Sequence, residues 1–260
     1  MMMGKQLRMR HFTRRGGTVI VPMDHALFAE PAPAIQDLRA LVKTVASTDA
    51  DGILITPGML EHVRDVIGNL SVIMRMDGTH TRMGHHLEKI DLVQTVEDAV
   101  RLGADMVVAN IFVGVENEDV HLTKLGNLAV QCRKYGMPLM GEMMPASILL
   151  FHYGKEKKSA SMEQINKDLA MVCRLGAEIG CDVIKTQYSG DKAGYAEVVK
   201  GTPVPVWIAG GPTAGGDEAF IQMIDDAAAA GATGAVIGRN VWGRPDPKKV
   251  LGQLCKVLHK

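Results

Sequence analysis

The chain has 260 residues, and its 29 lysines and arginines balance 29 aspartates and glutamates, so the formal net charge is zero. Hydrophobic residues make up 47% and charged residues 22% of the sequence, which excludes an intrinsically disordered chain. The balanced charge gives no general attraction to nucleic acid or to a membrane surface, and aromatic residues, at 4%, are too scarce for a base-stacking surface. One α/β barrel needs roughly 250 residues, so we expect a single domain over residues 1–260.

The four cysteines form no CxxC pair, and no histidine or cysteine completes a zinc-type spacing around Cys173 and Cys181. We interpret all four as buried free thiols of a cytoplasmic protein. No run of about 18 apolar residues is present, which predicts that no helix crosses a membrane. The basic segment 1–17 lacks the apolar core of a secretory signal, and we expect it to be a solvated cover beside the first strand.

Eight short apolar runs recur along the chain without polar alternation, which is typical of strands buried on both faces of a parallel sheet. The runs are 18–22, 52–56, 72–76, 105–110, 138–143, 182–186, 204–209 and 234–238. Segments with helical periodicity lie between them, at 34–47, 92–102, 122–135, 162–179 and 217–230.

Three helix-to-strand junctions resemble each other, because each places a glycine where a helix ends in a left-handed residue. These glycines are Gly103, Gly180 and Gly231. Eight strands at about 32 residues per unit match the size of a βα module and predict an α/β fold, the (β/α)8 or TIM barrel. The alternative is a doubly wound open sheet, but no GxGxxG motif follows the first strand.

The chemistry of such a barrel lies at the carboxyl ends of its strands, and Lys185 ends an apolar run there. A lysine is rarely buried without a specific role. A low-dielectric barrel mouth disfavours the ammonium form, and a neutral amine can attack a carbonyl to form a Schiff base. The alternative is a lysine that reaches out of the barrel top and pairs with a carboxylate.

Asp24 follows the first apolar run and faces the same mouth, where a carboxylate can move protons or stabilise an iminium ion. The alternative role for Asp24 is to cap a following turn. His25 is expected to contribute to substrate binding, either directly or as a hydrogen-bonded neighbour of the site.

The loops after the seventh and eighth strands predict a phosphate site, because barrel enzymes often bind phosphate there. The first loop is glycine-rich from Gly210 and Gly211 onward, and the second contains Gly238 and Arg239. Glycines let backbone N–H groups approach an anion, and an arginine adds a forked charge. The alternative is that these glycines serve turn geometry only.

Three histidines in one probable loop, His80, His85 and His86, raise the question of a metal. Their spacing is irregular, and we predict that the protein uses neither a metal nor another cofactor.

Four segments together carry a resemblance to a known family: 21–25, 182–186, 209–212 and 237–240. The chain resembles, over essentially its whole length, the archaeal-type class I fructose-bisphosphate aldolases. That family also includes the 2-amino-3,7-dideoxy-heptulosonate synthases and the autoinducer-2 phosphate thiolase. The resemblance implies a barrel, a Schiff-base lysine at Lys185, an acid–base carboxylate at Asp24, no metal, and a ring-based homo-oligomer, often a decamer.

The sequence departs from this family at the end of the fifth strand, where the aldolases carry a catalytic tyrosine before a proline. Met144 stands in that place and has no proton to transfer. Glu142 lies on the same strand face and is the nearest replacement acid, although it could equally be a buried partner of Lys185. Ala26 also stands where the family usually has glycine.

We expect a Schiff-base aldolase that cleaves or forms a carbon–carbon bond in a phosphorylated keto sugar. Lys185 would form the iminium, and Asp24 with Glu142 would move protons. The alternatives are acyl transfer from a phosphorylated dione to coenzyme A, as in the thiolase branch, and a catalytically inactive barrel that binds a phosphosugar.

Overall fold

The computed structural model describes residues 3–27, 32–79, 81, 83–84, 89–152, 160–211 and 215–259, with backbone only for 150–152. Eight parallel strands close into a barrel in chain order, which confirms the (β/α)8 prediction and makes the open-sheet alternative wrong. The strands are β1 Thr18–Pro22, β2 Gly52–Ile55, β3 Ser71–Arg75, β4 Met106–Val113, β5 Leu139–Pro145, β6 Val183–Gln187, β7 Val206–Ala209 and β8 Gly234–Val236.

Helices surround this barrel, and the described part of the chain also contains short 3-10 turns at His25–Leu27 and Pro33–Ile35. The helices in the described residues are α1 Met3–Thr13, α2 Leu38–Ala46, α3 Pro57–Val63, α4 Val96–Arg101, α5 Glu118–Tyr135, α6 Ala146–His152, α7 Met162–Ile179, α8 Lys192–Lys200, α9 Asp217–Ala229, α10 Arg239–Trp242 and α11 Pro247–Leu258.

Side-chain caps explain where two helices begin later than predicted. The segment predicted as helical from residue 34 starts as a 3-10 turn, and α2 begins only after Asp37, whose side chain accepts the N–H of Ala40. The segment predicted from residue 92 becomes α4 only after Thr95, which forms a capping box with Asp98. The three glycines that were predicted to end helices in a left-handed conformation do have positive φ: 82° at Gly103, 131° at Gly180 and 104° at Gly231.

Strands β4 and β5 extend past the carboxyl ends of the predicted runs, which stopped at Asn110 and Met143. The two strands pair continuously from Val107 with Leu139 to Val113 with Pro145. Their long ladder carries Asn110 and Glu142 within the sheet, side by side and facing the barrel interior.

The N-terminal helix closes the barrel at the amino ends of the strands, so the predicted cover is solvated only on its outer face and its inner face is buried. Met9 and Phe12 are buried among the inward-facing strand residues, and the Phe12 ring lies 5.8 Å from that of Trp207. Burial of these apolar side chains gives α1 its position under the barrel.

Three aspartates, each directly before an even-numbered strand, form hydrogen bonds and ion pairs at this closed end of the barrel. The carboxylates of Asp51, Asp105 and Asp182 each accept a backbone N–H from the strand before: Val19, Val72 and Leu139. Each aspartate also pairs with a group near a chain end: His259 at 2.9 Å, His11 at 3.0 Å and Lys5 at 2.6 Å, respectively. The amino end is therefore filled, which leaves the carboxyl end open for a site.

All four cysteines are free and buried, as predicted. In the part of the chain that the structure describes, no helix is both long and apolar enough to span a membrane.

Candidate active site

A cavity of about 240 Å³ opens at the carboxyl ends of the strands. It brings together all eight residues that the sequence predicted for the site: Asp24, His25, Glu142, Lys185, Gly210, Gly211, Gly238 and Arg239. The cavity is also lined by residues to which the sequence analysis assigned no role, among them Arg75, Asn110, Phe112, Ile90 and Gln187.

Lys185 lies inside the barrel mouth with only 5% of its surface exposed. It is the register partner of Glu142 on the adjacent strand, so both side chains emerge from the same face at the same height. The Nζ atom of Lys185 lies 2.6 Å from Oε1 of Glu142. Glu142 is therefore the buried salt-bridge partner that the sequence left as an alternative.

Arg75, at the end of β3, is the second cation bound to Glu142. Its guanidinium donates to Oε2 of Glu142 at 2.6 Å and, through Nε, to Oδ2 of Asp24 at 2.8 Å. Burial opposes ionisation of Glu142, but the charges of Lys185 and Arg75 outweigh burial and lower the pKa of Glu142 to about 2. Glu142 is thus a carboxylate at neutral pH.

A further ion pair supports Arg75 from behind the cavity. Asp77 lies 3.4 Å from the guanidinium of Arg75 and accepts the backbone N–H of Asn110 at 2.7 Å. Asp77 also contacts the ammonium of Lys124, on α5, at 3.2 Å, and accepts from the side-chain amide of Asn110 at 3.3 Å. Burial lowers the pKa of Lys124, and the charge of Asp77 opposes this effect.

The loops after β7 and β8 are joined by hydrogen bonds from the second loop to the first. Arg239 donates to the carbonyl of Gly211 at 2.8 Å, and Asn240 donates to that of Gly210 at 3.0 Å. Gly211 has a φ of 60°, a conformation that favours glycine. Arg239 is exposed at the cavity rim, whereas Pro212, Thr213 and Ala214 of the predicted loop lie outside the described residues.

Aromatic side chains form further parts of the cavity wall. The His25 ring lies 5.6 Å from that of Trp242, whose indole donates to the carbonyl of Pro22. On the other side Phe112 and Met144 are register partners on β4 and β5. Met144 shares the inward face with Glu142, as predicted from strand alternation.

Sequence reasoning missed the roles of three charged residues: Arg75, Asp77 and Lys124. Arg75 carried a detectable signal, because it ends an apolar strand as Lys185 does. Lys124 carried none, since a lysine within an amphipathic helix is ordinarily solvated. The histidines His80, His85 and His86 lie outside the described residues. Among the residues the structure does describe, no group of three histidine, cysteine, aspartate or glutamate side chains could hold a metal ion.

Comparison with known proteins assigns the chain to a family. The model of the DeoC/LacD family aldolases matches residues 18–244. The chain is 32% identical to the 2-amino-3,7-dideoxy-D-threo-hept-6-ulosonate synthase of Halobacterium salinarum, over 98% of this chain and 92% of that protein. It is 30% identical to the 2-amino-4,5-dihydroxy-6-oxo-7-(phosphonooxy)heptanoate synthase of Streptomyces griseus, over 92% and 84% of the two chains.

Solved structures agree with this assignment. An archaeal fructose 1,6-bisphosphate aldolase superposes with a TM-score of 0.86 at 27% identity, covering 98% of this chain and 99% of that one. The same values hold for a structure of the Schiff base forming fructose-1,6-bisphosphate aldolase. The chain belongs to the DeoC/LacD family of aldolases and is a carbon–carbon lyase of the Schiff-base type.

Proposed function

We propose that Lys185 is the amine that forms the Schiff base and that the substrate is a ketone with a phosphate on the neighbouring carbon. The observation that carries this proposal is the position of the buried Lys185 amine, 2.6 Å from a carboxylate and in the same cavity as the β7 and β8 loops. An amine between a proton acceptor and an anion-binding rim suits a phosphorylated carbonyl compound.

Glu142 acts first, as the acceptor of the Lys185 ammonium proton. The free amine then attacks the carbonyl carbon, and the carbinolamine loses water, with the proton returning from Glu142 to the departing hydroxyl. Because the pKa of Glu142 lies far below neutrality, it is a carboxylate before each turnover and cannot serve as a standing acid. This assigns Glu142 to imine formation.

Asp24 acts in the carbon–carbon step. Arg75 binds its Oδ2, so we assign proton transfer to Oδ1 of Asp24, which also lines the cavity. In the cleavage direction Asp24 takes the proton of the substrate hydroxyl as the carbon–carbon bond breaks. The bonding electrons pass into the iminium to give an enamine, and the aldehyde leaves. Protonation of the enamine carbon and hydrolysis then release the ketone.

The phosphate is held at the rim formed by Gly210, Gly211, Gly238 and Arg239, with His25 beside them. The exposed guanidinium of Arg239 supplies charge, and the glycines allow backbone N–H groups to approach an anion closely. Binding energy from the phosphate, which does not react, places the carbonyl carbon against Lys185.

The substrate class follows from what the relatives have in common. The Streptomyces griseus relative is named for a 6-oxo-7-(phosphonooxy) product, and the solved structures are of fructose 1,6-bisphosphate aldolases. Fructose 1,6-bisphosphate in its open form also has a ketone next to a phosphorylated carbon. This shared fragment is the part of the substrate that we assign to Lys185 and the phosphate rim.

A turnover panel tests this proposal. The purified chain is supplied with fructose 1,6-bisphosphate, and separately with dihydroxyacetone phosphate and a set of aldehydes, and the products are identified by mass spectrometry. Cleavage or condensation through the phosphorylated ketone supports the proposal. Turnover of a phosphorylated dione only when coenzyme A is present would place the chain in thiolytic chemistry. Tight phosphosugar binding without any turnover would indicate an inactive barrel.

We also propose that the protein is a cytoplasmic homo-oligomer, such as a ring. Its four buried free thiols suit a reducing compartment. Sedimentation of the purified chain measures the assembly directly, and a monomer at micromolar concentration would contradict this part of the proposal.

A further inference from the structure

We infer that Arg75 is a positioning residue that orients Glu142 and Asp24 for proton transfer at Lys185. This inference rests on the function proposed above and adds to it a residue outside the catalytic group. Arg75 is 2% exposed, so the carboxylates around it, rather than a solvent-exposed ligand, determine its orientation.

The geometry uses the forked shape of a guanidinium. Nε binds Asp24, which follows β1, while one terminal nitrogen binds Glu142 on β5. The second oxygen of Glu142 binds Lys185, so this carboxylate is fixed between two cations on opposite sides. A lysine ammonium is a single point charge and cannot present the same planar pair of donors to two carboxylates.

Arg75 is itself fixed from outside the cavity. Asp77 contacts its guanidinium and is bound in turn by the backbone of Asn110 and by Lys124. The side-chain amide of Gln94 donates to the Arg75 backbone carbonyl. These contacts hold the residue in place without using the groups that we assign to the reaction.

Charge balance explains why removing Arg75 should alter proton transfer. The groups facing Glu142 are Lys185 on β6, Arg75 on β3 and Asp24 beyond β1, with Asp77 and Lys124 behind them. Glu142 contacts two of these cations, Lys185 and Arg75, whereas Lys124 contacts Asp77 and not Glu142. Without Arg75, Glu142 loses one of its two cationic partners and holds a proton more tightly. Glu142 would then be protonated, and unable to accept the Lys185 proton, at a higher pH.

The experiment compares three variants of the full chain. Arg75→Met removes the charge and the guanidinium donors. Arg75→Lys keeps the charge but cannot donate to Asp24 and Glu142 at the same time in the geometry of a guanidinium. Lys124→Met is the matched control, because it removes a buried cation that contacts Asp77 but neither Asp24 nor Glu142. Each variant is melted to confirm folding. The rate of imine formation with dihydroxyacetone phosphate, trapped with cyanoborohydride because acid destroys borohydride, is then measured between about pH 3 and 8. Protonation of Glu142 should have little effect on the wild type in this range, because the pKa of Glu142 is about 2.

We expect Arg75→Met to lower the rate at neutral pH by about 10²-fold, the effect of misplacing a reacting group, with little change in KM. The pH at which protonation of Glu142 lowers the rate should rise by about 1 to 3 units, and so enter the measured range. Arg75→Lys should recover part of the rate. Lys124→Met should lose stability while its rate keeps the wild-type dependence on pH.

The inference is overturned if Arg75→Met keeps the wild-type dependence of the rate on pH and loses no more rate than Lys124→Met. If Arg75→Met does not fold, Arg75→Lys decides alone, and a wild-type rate in that variant overturns the inference. Failure of the proposed function looks different, because the wild type would then form no imine at all.

Discussion

Glu142 and Lys185 are register partners on neighbouring parallel strands, and their charged atoms lie 2.6 Å apart inside the barrel mouth. The pair couples the amine that we propose as the nucleophile to a carboxylate through the sheet itself, and both residues lie within strands. Strand pairing fixes both backbones, so the separation of the two groups is set by the fold.

Glu142→Gln tests the role of this carboxylate in the reaction. The amide cannot accept the Lys185 proton, so we expect turnover to fall by about 10²–10⁴-fold, the usual contribution of a general acid–base group. Imine formation should slow with it, which rapid-quench trapping with borohydride measures. A purely structural Glu142 predicts instead a lower melting temperature with turnover close to wild type.

Stability should depend on Glu142 at acid pH. Its pKa is lowered in the folded state from an ordinary 4.5 to about 2. The stabilisation from the ionised group is therefore complete above about pH 4.5 and is lost as pH falls toward 2. Denaturant unfolding of the wild type and Glu142→Gln across this range should show a steeper loss in the wild type. Parallel curves would show that Glu142 does not have a lowered pKa.

Arg239→Ala tests the phosphate rim. Loss of one charged hydrogen-bonding partner typically costs about 1.5–3 kcal/mol, roughly ten- to a hundredfold in affinity. The loss should appear in KM for a phosphorylated ketone and be much smaller for its unphosphorylated analogue. Equal losses for both compounds would mean that the bond of Arg239 to Gly211 is its main role.

Met144→Tyr introduces the residue that the sequence lacks relative to the aldolases it resembles. Position 144 lines the cavity on the same strand face as Glu142, so a tyrosine hydroxyl there would reach the cavity. We expect a gain in fructose 1,6-bisphosphate cleavage, with Met144→Phe as the size-matched control without a hydroxyl. An equal change in both variants would assign the effect to volume rather than to proton transfer.

The sequence was sufficient to predict the barrel and eight of the residues that line the cavity at its carboxyl end, because both follow from local patterns. Apolar runs identified the eight strands, and a charged residue ending such a run identified Lys185. The link from Arg75 to Asp24 and Glu142 could not be predicted, since it joins residues on β3, after β1 and on β5 across the barrel interior. Tertiary packing also decided two other features that no local pattern indicated: the closure by α1 and the burial of Lys124.

The central claim is that Lys185 forms the Schiff base, and residue-level mapping of the trapped imine tests it most directly. The wild type and Lys185→Arg are treated with dihydroxyacetone phosphate and borohydride, digested, and sequenced by mass spectrometry. We predict that the reduced adduct is found on Lys185 of the wild type and is absent from the variant, because a guanidinium stays protonated. An adduct on another lysine, or one that persists in Lys185→Arg, would contradict the account.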